Sequence, residues 1–192
     1  MKNKKFVLAM MLTAVSSSAF AFGAHAASPV QTGNIAKVEF QGSINAGACD
    51  VSPSSADQVV QMGSVAEADF GATSGTLAKT SSPFTLQLSG CDTTVAKNVA
   101  VAFQGVLAGT DTNTLAVDNS LGGGTTATGV GIQIYQAGQT DPLKVDGSTF
   151  DTKTALTDGN NTLKFSAQYI STSATVTAGE ADSSAQINFQ YE

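Results

Sequence analysis

The amino-acid sequence predicts an all-β protein, a sandwich of Greek-key type, on two observations. Apolar and polar residues alternate along most of the chain, which is the pattern of strands with one buried face and one solvated face. Short clusters of Gly, Ser, Thr, Asn and Asp separate these alternating segments, as turns do. Short strands divided by turn signals are typical of such sandwiches. Only one turn of helix is expected, near residues 65–70.

Several segments alternate cleanly enough to be predicted as strands. They are residues 84–88, 99–103, 130–134 and 163–169, with a shorter candidate at residues 59–62. The turn clusters lie at residues 71–75, 105–113, 122–129 and 158–161. No linker divides the chain into two cores, and 192 residues suit one domain, so we expect one domain after the N-terminal region.

The N-terminal region has the pattern of a secretory signal peptide. Three lysines precede an apolar run at residues 6–15, and small residues follow it. The apolar run is too short to span a bilayer. Two Ala-x-Ala signals end at Ala21 and Ala26, and we predict a signal peptide over residues 1–26 with Ala21 as the alternative cleavage site.

The side-chain inventory excludes most catalytic chemistry. The chain has one histidine, His25, which the predicted cleavage removes, and it has no Arg and no Trp. Histidine-based general bases, nucleophilic triads and histidine metal sites are therefore not expected. A nucleic-acid binder needs a basic stripe, so that partner is excluded too. No cofactor or metal motif is complete, and only paired carboxylates of the glycosidase kind are left open by sequence alone.

The two cysteines, Cys49 and Cys91, lie 42 positions apart. Two thiols cannot make a zinc site, and an exported chain enters an oxidising compartment. A disulfide with a structural role is therefore predicted.

Both ends of the mature chain alternate strongly, although chain ends normally fray. The C-terminal apolar row is Gly179, Ala181, Ser183, Ala185, Ile187, Phe189 and Tyr191, and the N-terminal row is Ala36, Val38, Phe40, Gly42 and Ile44. Such strands must be held by neighbours. One interpretation is that they are the first and last strands of a closed sandwich.

A second interpretation comes from a resemblance in the motifs that run through the chain. These are Val-x-Phe-x-Gly at 38–42, Gln-Met-Gly at 61–63, Pro-Phe-Thr-Leu-Gln-Leu at 83–88 before Cys-Asp-Thr at 91–93, Val-Ala-Val-Ala-Phe at 99–103, Gly-Val-Gly-Ile-Gln-Ile at 129–134 and Phe-Gln-Tyr-Glu at 189–192. Gly179 stands fourteen residues from the end, and Tyr191 is penultimate. With these motifs the chain resembles the chaperone–usher pilins, and among them the rod subunits of type 1 fimbriae.

The resemblance implies an immunoglobulin-like sandwich that lacks its seventh strand and is completed by a donor strand from a neighbouring subunit. It implies a donor extension over residues 27–46 with Ala36, Val38, Phe40, Gly42 and Ile44 facing inward, and a pilin domain over residues 47–192. Gly179, Ala181, Ala185, Ile187, Phe189 and Tyr191 would line the acceptor groove. The partners it implies are other pilins, a periplasmic chaperone and an outer-membrane usher. The product would be a fimbria at the cell surface that supports adhesion.

Three other functions are alternatives to a polymerising rod subunit. A minor adaptor pilin would carry the same motifs. A tip adhesin or a secreted carbohydrate-binding sandwich would act as a binding module, but a tip adhesin needs an additional receptor-binding domain. A small hydrolase would depend on paired Asp residues, in a chain that has no Trp or Arg to build a sugar platform.

Overall fold

Two antiparallel sheets face each other in the computed structural model, which describes residues 38–39, 47–150 and 152–192. The sheets lie within the unit Ser43–Glu192. The predicted signal peptide and the inward-row residues Ala36, Phe40, Gly42 and Ile44 lie outside the described residues.

The strands of the larger sheet are short at its margins and long at its centre, whereas the smaller sheet has a short strand at one margin and a seven-residue strand at the other. In chain order they are β1 (Asp50–Val51), β2 (Leu77–Cys91), β3 (Asn98–Gly105), β4 (Thr114–Ala116), β5 (Val130–Gln136), β6 (Thr154–Ala155), β7 (Gly159–Ser171) and β8 (Ala185–Tyr191). A four-residue helix, α1 (Pro53–Ala56), follows β1, and a 3-10 turn covers Glu67–Asp69. The larger sheet has the order β1-β2-β7-β5-β4, and the smaller sheet has the order β6-β3-β8.

The core lies between the inward rows of these strands, as the alternation predicts. Leu86 and Leu88 of β2, Val101 and Phe103 of β3, and Phe165 of β7 are all almost completely buried. Burying each large apolar side chain contributes roughly 1.5–3 kcal/mol. The four predicted strands at 84–88, 99–103, 130–134 and 163–169 and the turn near 65–70 are confirmed.

The predicted short strand at residues 59–62 is wrong, because this segment makes no ladder with β2. Its contact with β2 is a side-chain hydrogen bond, in which the Ser82 hydroxyl donates to the Gln61 carbonyl at 2.9 Å. The neighbouring residue is Pro83, which has no N–H to give to a ladder.

The predicted disulfide is confirmed. Cys49 and Cys91 are bonded, and both are buried. The bridge joins the segment before β1 to the end of β2, and the Asp92 N–H donates to the Ala48 carbonyl at 2.9 Å beside it. The first described strand is thereby fixed to the larger sheet.

We expect Cys49→Ser to lower the free energy of unfolding by about 2–5 kcal/mol, because the unfolded chain regains the freedom of a long loop. Urea denaturation measures the effect. The double variant Cys49→Ser/Cys91→Ser should lose no more than the single variant, since either change removes the same cross-link. An unchanged urea midpoint would contradict a stabilising role for the bridge.

Candidate functional site

The strand order leaves one position of an immunoglobulin-type sandwich unfilled. The order β1-β2-β7-β5 matches strands A-B-E-D of that fold, and β3-β8 matches strands C and F. The seventh strand, G, belongs on the side of β8 that faces away from β3. No strand of the described residues lies there. We call this side of β8 the open edge.

The opposite edge of the smaller sheet is closed along the length of β3. Val99 pairs with Thr154 of β6, and further on the Thr152 hydroxyl accepts from the Val101 N–H at 2.7 Å and donates to the Val101 carbonyl at 3.1 Å. Beyond that point the Gly105 N–H donates to the Val145 carbonyl at 2.9 Å. The free backbone groups of an edge are thus satisfied on this side.

The larger sheet is closed at its edges by similar short contacts. The Gln87 N–H of β2 donates to the Ser55 hydroxyl of α1 at 2.9 Å, where β1 has ended. At the other margin, the Ala116 N–H of β4 donates to the Val106 carbonyl at 2.7 Å. Unpaired edges invite pairing with another chain, and these contacts prevent it.

The side chains of β8 alternate strictly between the two faces of the smaller sheet. Ala185, Ile187, Phe189 and Tyr191 are half-buried and pack against the core, whereas Gln186, Asn188 and Gln190 are exposed. The strand is antiparallel to β3 throughout, from Gly105 opposite Ala185 to Val99 opposite Tyr191. An apolar row on a strand with one unpaired side is a surface for strand addition.

Three aromatic rings meet in the core on which this row packs. Phe84 of β2 stacks on Phe165 of β7 at 5.5 Å between ring centroids, and both meet Phe103 of β3 edge to face. Phe84 is only half-buried although it stands in a long strand. It joins Val51 and Met62 among the partly buried side chains on the core, so apolar surface is left accessible on the β2 side as well.

The C-terminal end of β8 is fixed across to the larger sheet. The Tyr191 hydroxyl donates to the Cys49 carbonyl at 3.3 Å. Burial, and secondarily the Asp50 carboxylate, raise the pKa of Tyr191 above its ordinary value, at which the hydroxyl is already protonated at neutral pH and able to donate. Tyr191 and the disulfide therefore hold β8 and β1 at one end of the open edge.

The last residue is fixed as well. The backbone N–H groups of Lys97 and Asn98 donate to the Glu192 carbonyl at 2.6 and 2.9 Å, and the Glu192 carboxylate pairs with Lys153 at 2.5 Å. These contacts hold β8 in a single register on β3.

The last strand begins later than the alternation from Gly179 predicts. Residues 179–184, which precede β8, do not pair with β3. They make isolated bridges instead, in which Glu180 pairs with Thr126 and Asp182 with Asp118. A Cβ on Gly179 would lie 2.4 Å from the Ala127 nitrogen, so glycine is required by this close approach. Ala181 accepts a hydrogen bond from the Tyr169 hydroxyl at 2.9 Å. Both residues lie before β8, and their place in an acceptor groove stays a prediction.

Asp92 and Asp158 do not have the properties of an acid–base pair of the glycosidase kind. Asp92 and Asp158 interact, but hydrogen bonds from Thr94 and Thr93, respectively, lower the pKa of each. Glycoside hydrolysis needs one carboxyl with a raised pKa. No cluster of three metal-ligating side chains occurs within the described part of the chain.

None of the helices among the described residues has the length and apolarity required to span a membrane.

Of the residues predicted to form the inward row of the donor extension, the structure describes Val38, which is 68% exposed.

Comparison with known proteins assigns the chain to a family. The model of the family described as "Fimbrial protein" matches residues 38–192. The chain is 42% identical to the type-1 fimbrial protein, A chain, of Salmonella typhi over 95% of this chain and 98% of that protein. It is 38% identical to the type-1 fimbrial protein, A chain, of Escherichia coli K12, with complete coverage of both.

Solved structures agree with this assignment. The P pilus rod subunit PapA superposes with a TM-score of 0.63 at 27% identity, covering 76% of this chain and all of PapA. A second match is a subunit in the structure of a chaperone–usher pilus, which was solved to explain how the pilus rod uncoils. It superposes with a TM-score of 0.69 at 28% identity, and the match covers 86% of this chain and all of that subunit.

The fold and the open edge define an immunoglobulin-like pilin. The chain belongs to the fimbrial protein family, and it is a structural pilin of extracellular fimbriae rather than an enzyme. The resemblance stated from the motifs, the fold class and the absence of catalytic function are confirmed by this membership.

The sequence indicated the inward row of β8 but missed the contacts that define its surroundings. At the edges, Thr152 acts through two hydrogen bonds, Ser55 through one and Lys153 through one ion pair. Such contacts leave no periodic signal, because each depends on where a distant segment lies.

We expect Tyr191→Phe to loosen the end of β8, because the ring is kept but the hydrogen bond to the Cys49 carbonyl, worth about 0.5–1.5 kcal/mol, is lost. Hydrogen exchange of the β8 amides should become about 2- to 12-fold faster where exchange proceeds through opening of this end. Tyr135→Phe is the matched control, since it removes a hydroxyl bond to Gln133 on the other sheet. Equal exchange in the two variants would contradict the role assigned to Tyr191.

Proposed function

We propose that this pilin polymerises by strand donation, in which the N-terminal extension of one copy adds to the open edge of the next. The observation that carries the proposal is the combination of an apolar inward row on β8 with no strand beside it among the described residues. The donor extension is residues 27–46, and the pilin domain is residues 47–192. The inward row of the donor extension fills the position of the missing strand. This row is Ala36, Val38, Phe40, Gly42 and Ile44.

The energy available from such a joint suits a durable polymer. Val38, Phe40 and Ile44 would contribute about 5–9 kcal/mol together if fully buried. A ladder along β8 would add about 1 kcal/mol for each backbone hydrogen bond. Removing the donor would reopen the core, so dissociation would resemble partial unfolding and would be slow.

An open edge is a hazard before assembly, because any strand can pair with it. A periplasmic chaperone therefore covers β8 with a strand of its own after the signal peptide, residues 1–26, has been removed. An outer-membrane usher exchanges that strand for the extension of the next pilin. The finished fimbria supports adhesion of the cell.

Ala185, Ile187, Phe189 and Tyr191 form the acceptor row in this proposal. The polar face of β8 stays in solvent, where it can carry any polar residue. The two faces of one strand therefore provide a matched pair of positions for a test.

A chain without residues 27–46 should still be captured by the chaperone and accept a donor strand, but it cannot donate one. Cells that express only this chain should carry no filaments under negative-stain electron microscopy, while chaperone co-purification is unchanged. Filaments of normal length from this chain would refute the donor assignment.

Ile187→Asp should block acceptance, because it places a carboxylate inside the joint where it has no partner. Asn188→Asp adds the same charge to the exposed face of the same strand and should leave filaments at wild-type number and length. Loss of filaments in both variants, or in neither, would contradict the acceptor row.

A further inference from the structure

In the proposed joint, the donor strand leaves the acceptor near the start of β8. A strand in the seventh position of the sandwich runs antiparallel to β8, so the end of the extension lies toward Ala185 and its beginning lies toward Tyr191. Ile44, the last inward residue, is followed four residues later by Ala48, which is buried in the donor's own domain. Four residues span at most about 14 Å. The Ala48 end of the donor domain must therefore lie close to the end of the acceptor at which β8 begins.

The end at which β8 begins presents an exposed leucine on a fixed turn. Leu121 is 72% exposed. Its N–H and that of Gly122 each donate to the Asp182 carboxylate at 3.0 Å, and the Asn119 side chain donates to the Gly124 carbonyl at 2.6 Å. Asp182 stands three residues before β8. The turn is therefore attached to the segment that enters β8, and Leu121 is held in place although it packs on little of its own chain.

A second exposed apolar residue lies at the same end. Val106 is 74% exposed and directly follows Gly105, the residue of β3 that pairs with Ala185. The Ala116 N–H donates to the Val106 carbonyl at 2.7 Å, so the backbone is fixed here as well. We call Leu121 and Val106 together the receiving patch.

The opposite end of the sandwich, beside Ala48, presents an exposed valine in a similar way. Val95 is 63% exposed and lies in the turn between β2 and β3. The Val95 N–H donates to the Asp92 carbonyl at 3.1 Å, and the Asp92 N–H donates to the Ala48 carbonyl at 2.9 Å. The N–H and the hydroxyl of Thr93 donate to the Asp158 carboxylate at 2.8 and 2.7 Å. Val95 is thus held on a fixed turn next to the residue that the donor extension leads into.

We propose that consecutive pilins also touch end to end, with Val95 of the donor subunit packed on the receiving patch of the acceptor. This inference rests on the proposed function, because the donor strand is what brings the two ends together. Val95 lies just before β3 and Val106 lies just after it, so each chain carries the two surfaces at opposite ends. A contact between two different surfaces of identical chains can repeat along a filament.

The small size of this contact indicates what it does. Three aliphatic side chains are far fewer than the about 20–30 residues that each partner contributes to a stable interface, so free chains do not associate through it. Within a joint, the connection through the donor strand raises the effective concentration of the two ends to about the millimolar range, at which a weak contact forms. The contact therefore orients one pilin relative to the next, and the donor strand holds them together.

Charge does not draw the two ends together. Exposed carboxylates lie at both: those of Asp118 and Glu180 beside the receiving patch, and those of Asp92 and Asp158 at the other end, where Lys97 offsets one of them. Like charges repel, and salt screens the repulsion. An apolar contact between these ends should therefore strengthen as salt is added.

Cysteines at the two ends can detect the contact in filaments. The double variant Val95→Cys/Leu121→Cys is expressed at full length with the assembly machinery, and surface filaments are treated with a short bismaleimide, denatured and separated by electrophoresis. Cys49 and Cys91 are bonded to each other, so the added cysteines are the reactive thiols. We expect a ladder of cross-linked multimers, because each chain carries both surfaces and every joint brings one of each together.

Matched variants control for general reactivity. Val95→Cys and Leu121→Cys as single changes should give no dimer, because the contact joins two different surfaces. Val95→Cys/Lys164→Cys places the second cysteine on an exposed residue of β7 away from both ends and should give no ladder. Val95→Cys/Val106→Cys repeats the test at the other residue of the receiving patch and should give a ladder.

The outcomes separate this contact from strand donation. Filaments that show no ladder with either residue of the receiving patch would overturn the end-to-end contact and leave strand donation standing. A ladder of equal yield from the Lys164→Cys control would overturn it as well, because the cross-linking would then be unspecific. Strand donation fails on a different result, namely filaments from the chain that lacks residues 27–46.

Salt tests the nature of the contact in the same filaments. Raising the salt from about 0.01 M to about 1 M shortens the screening length from about 30 Å to about 3 Å. The yield of the ladder, relative to chains labelled without cross-linking, should rise about twofold or more. A yield that falls with salt would show attraction between opposite charges and would overturn an apolar contact between these ends.

Discussion

Pairing of backbone groups at the edges of the two sheets is the constraint on which this structure depends. A strand with an unpaired side presents N–H and C=O groups that pair readily with another chain. This pilin satisfies those groups at the margins by small devices, such as the Thr152 hydroxyl on Val101 and the Ser55 hydroxyl on Gln87. The open edge of β8 differs, because its inward row is apolar and only half-buried.

The rest of the molecule holds that edge in a defined shape. The disulfide ties the segment before β1 to β2, and Tyr191 connects β8 to the same segment. Glu192 is bound through its carbonyl to Lys97 and Asn98. A strand that must accept a partner gains from such fixation, because less conformational entropy is then lost when the partner adds.

The same arrangement explains why a small pilin needs no catalytic group. Folding and association use the same interactions here, namely apolar burial and a backbone ladder. The described residues contain no histidine, and strand addition does not require a general base of that kind. The Asp92 and Asp158 carboxylates, hydrogen-bonded to neighbouring threonines, stabilise turns instead.

The sequence by itself determined the features that depend on local pattern or composition. Alternation identified the strands around Phe84, Val101, Ile132 and Phe165, and the two cysteines determined the disulfide. Family motifs and the inward row of Ile187, Phe189 and Tyr191 indicated a pilin. Each of these signals is contained in a few adjacent residues or in a count, so no folded structure was needed to detect it.

Only the tertiary structure decided which edges are closed and where β8 begins. Residues 59–62 have strand-like composition but face a β2 segment with Pro83, and residues 179–184 pair with distant loops instead of extending β8. Thr152, Ser55 and Lys153 meet partners 32 to 51 residues away along the chain. Sheet pairing is non-local, so the value of one residue at an edge depends on which segment the fold brings beside it.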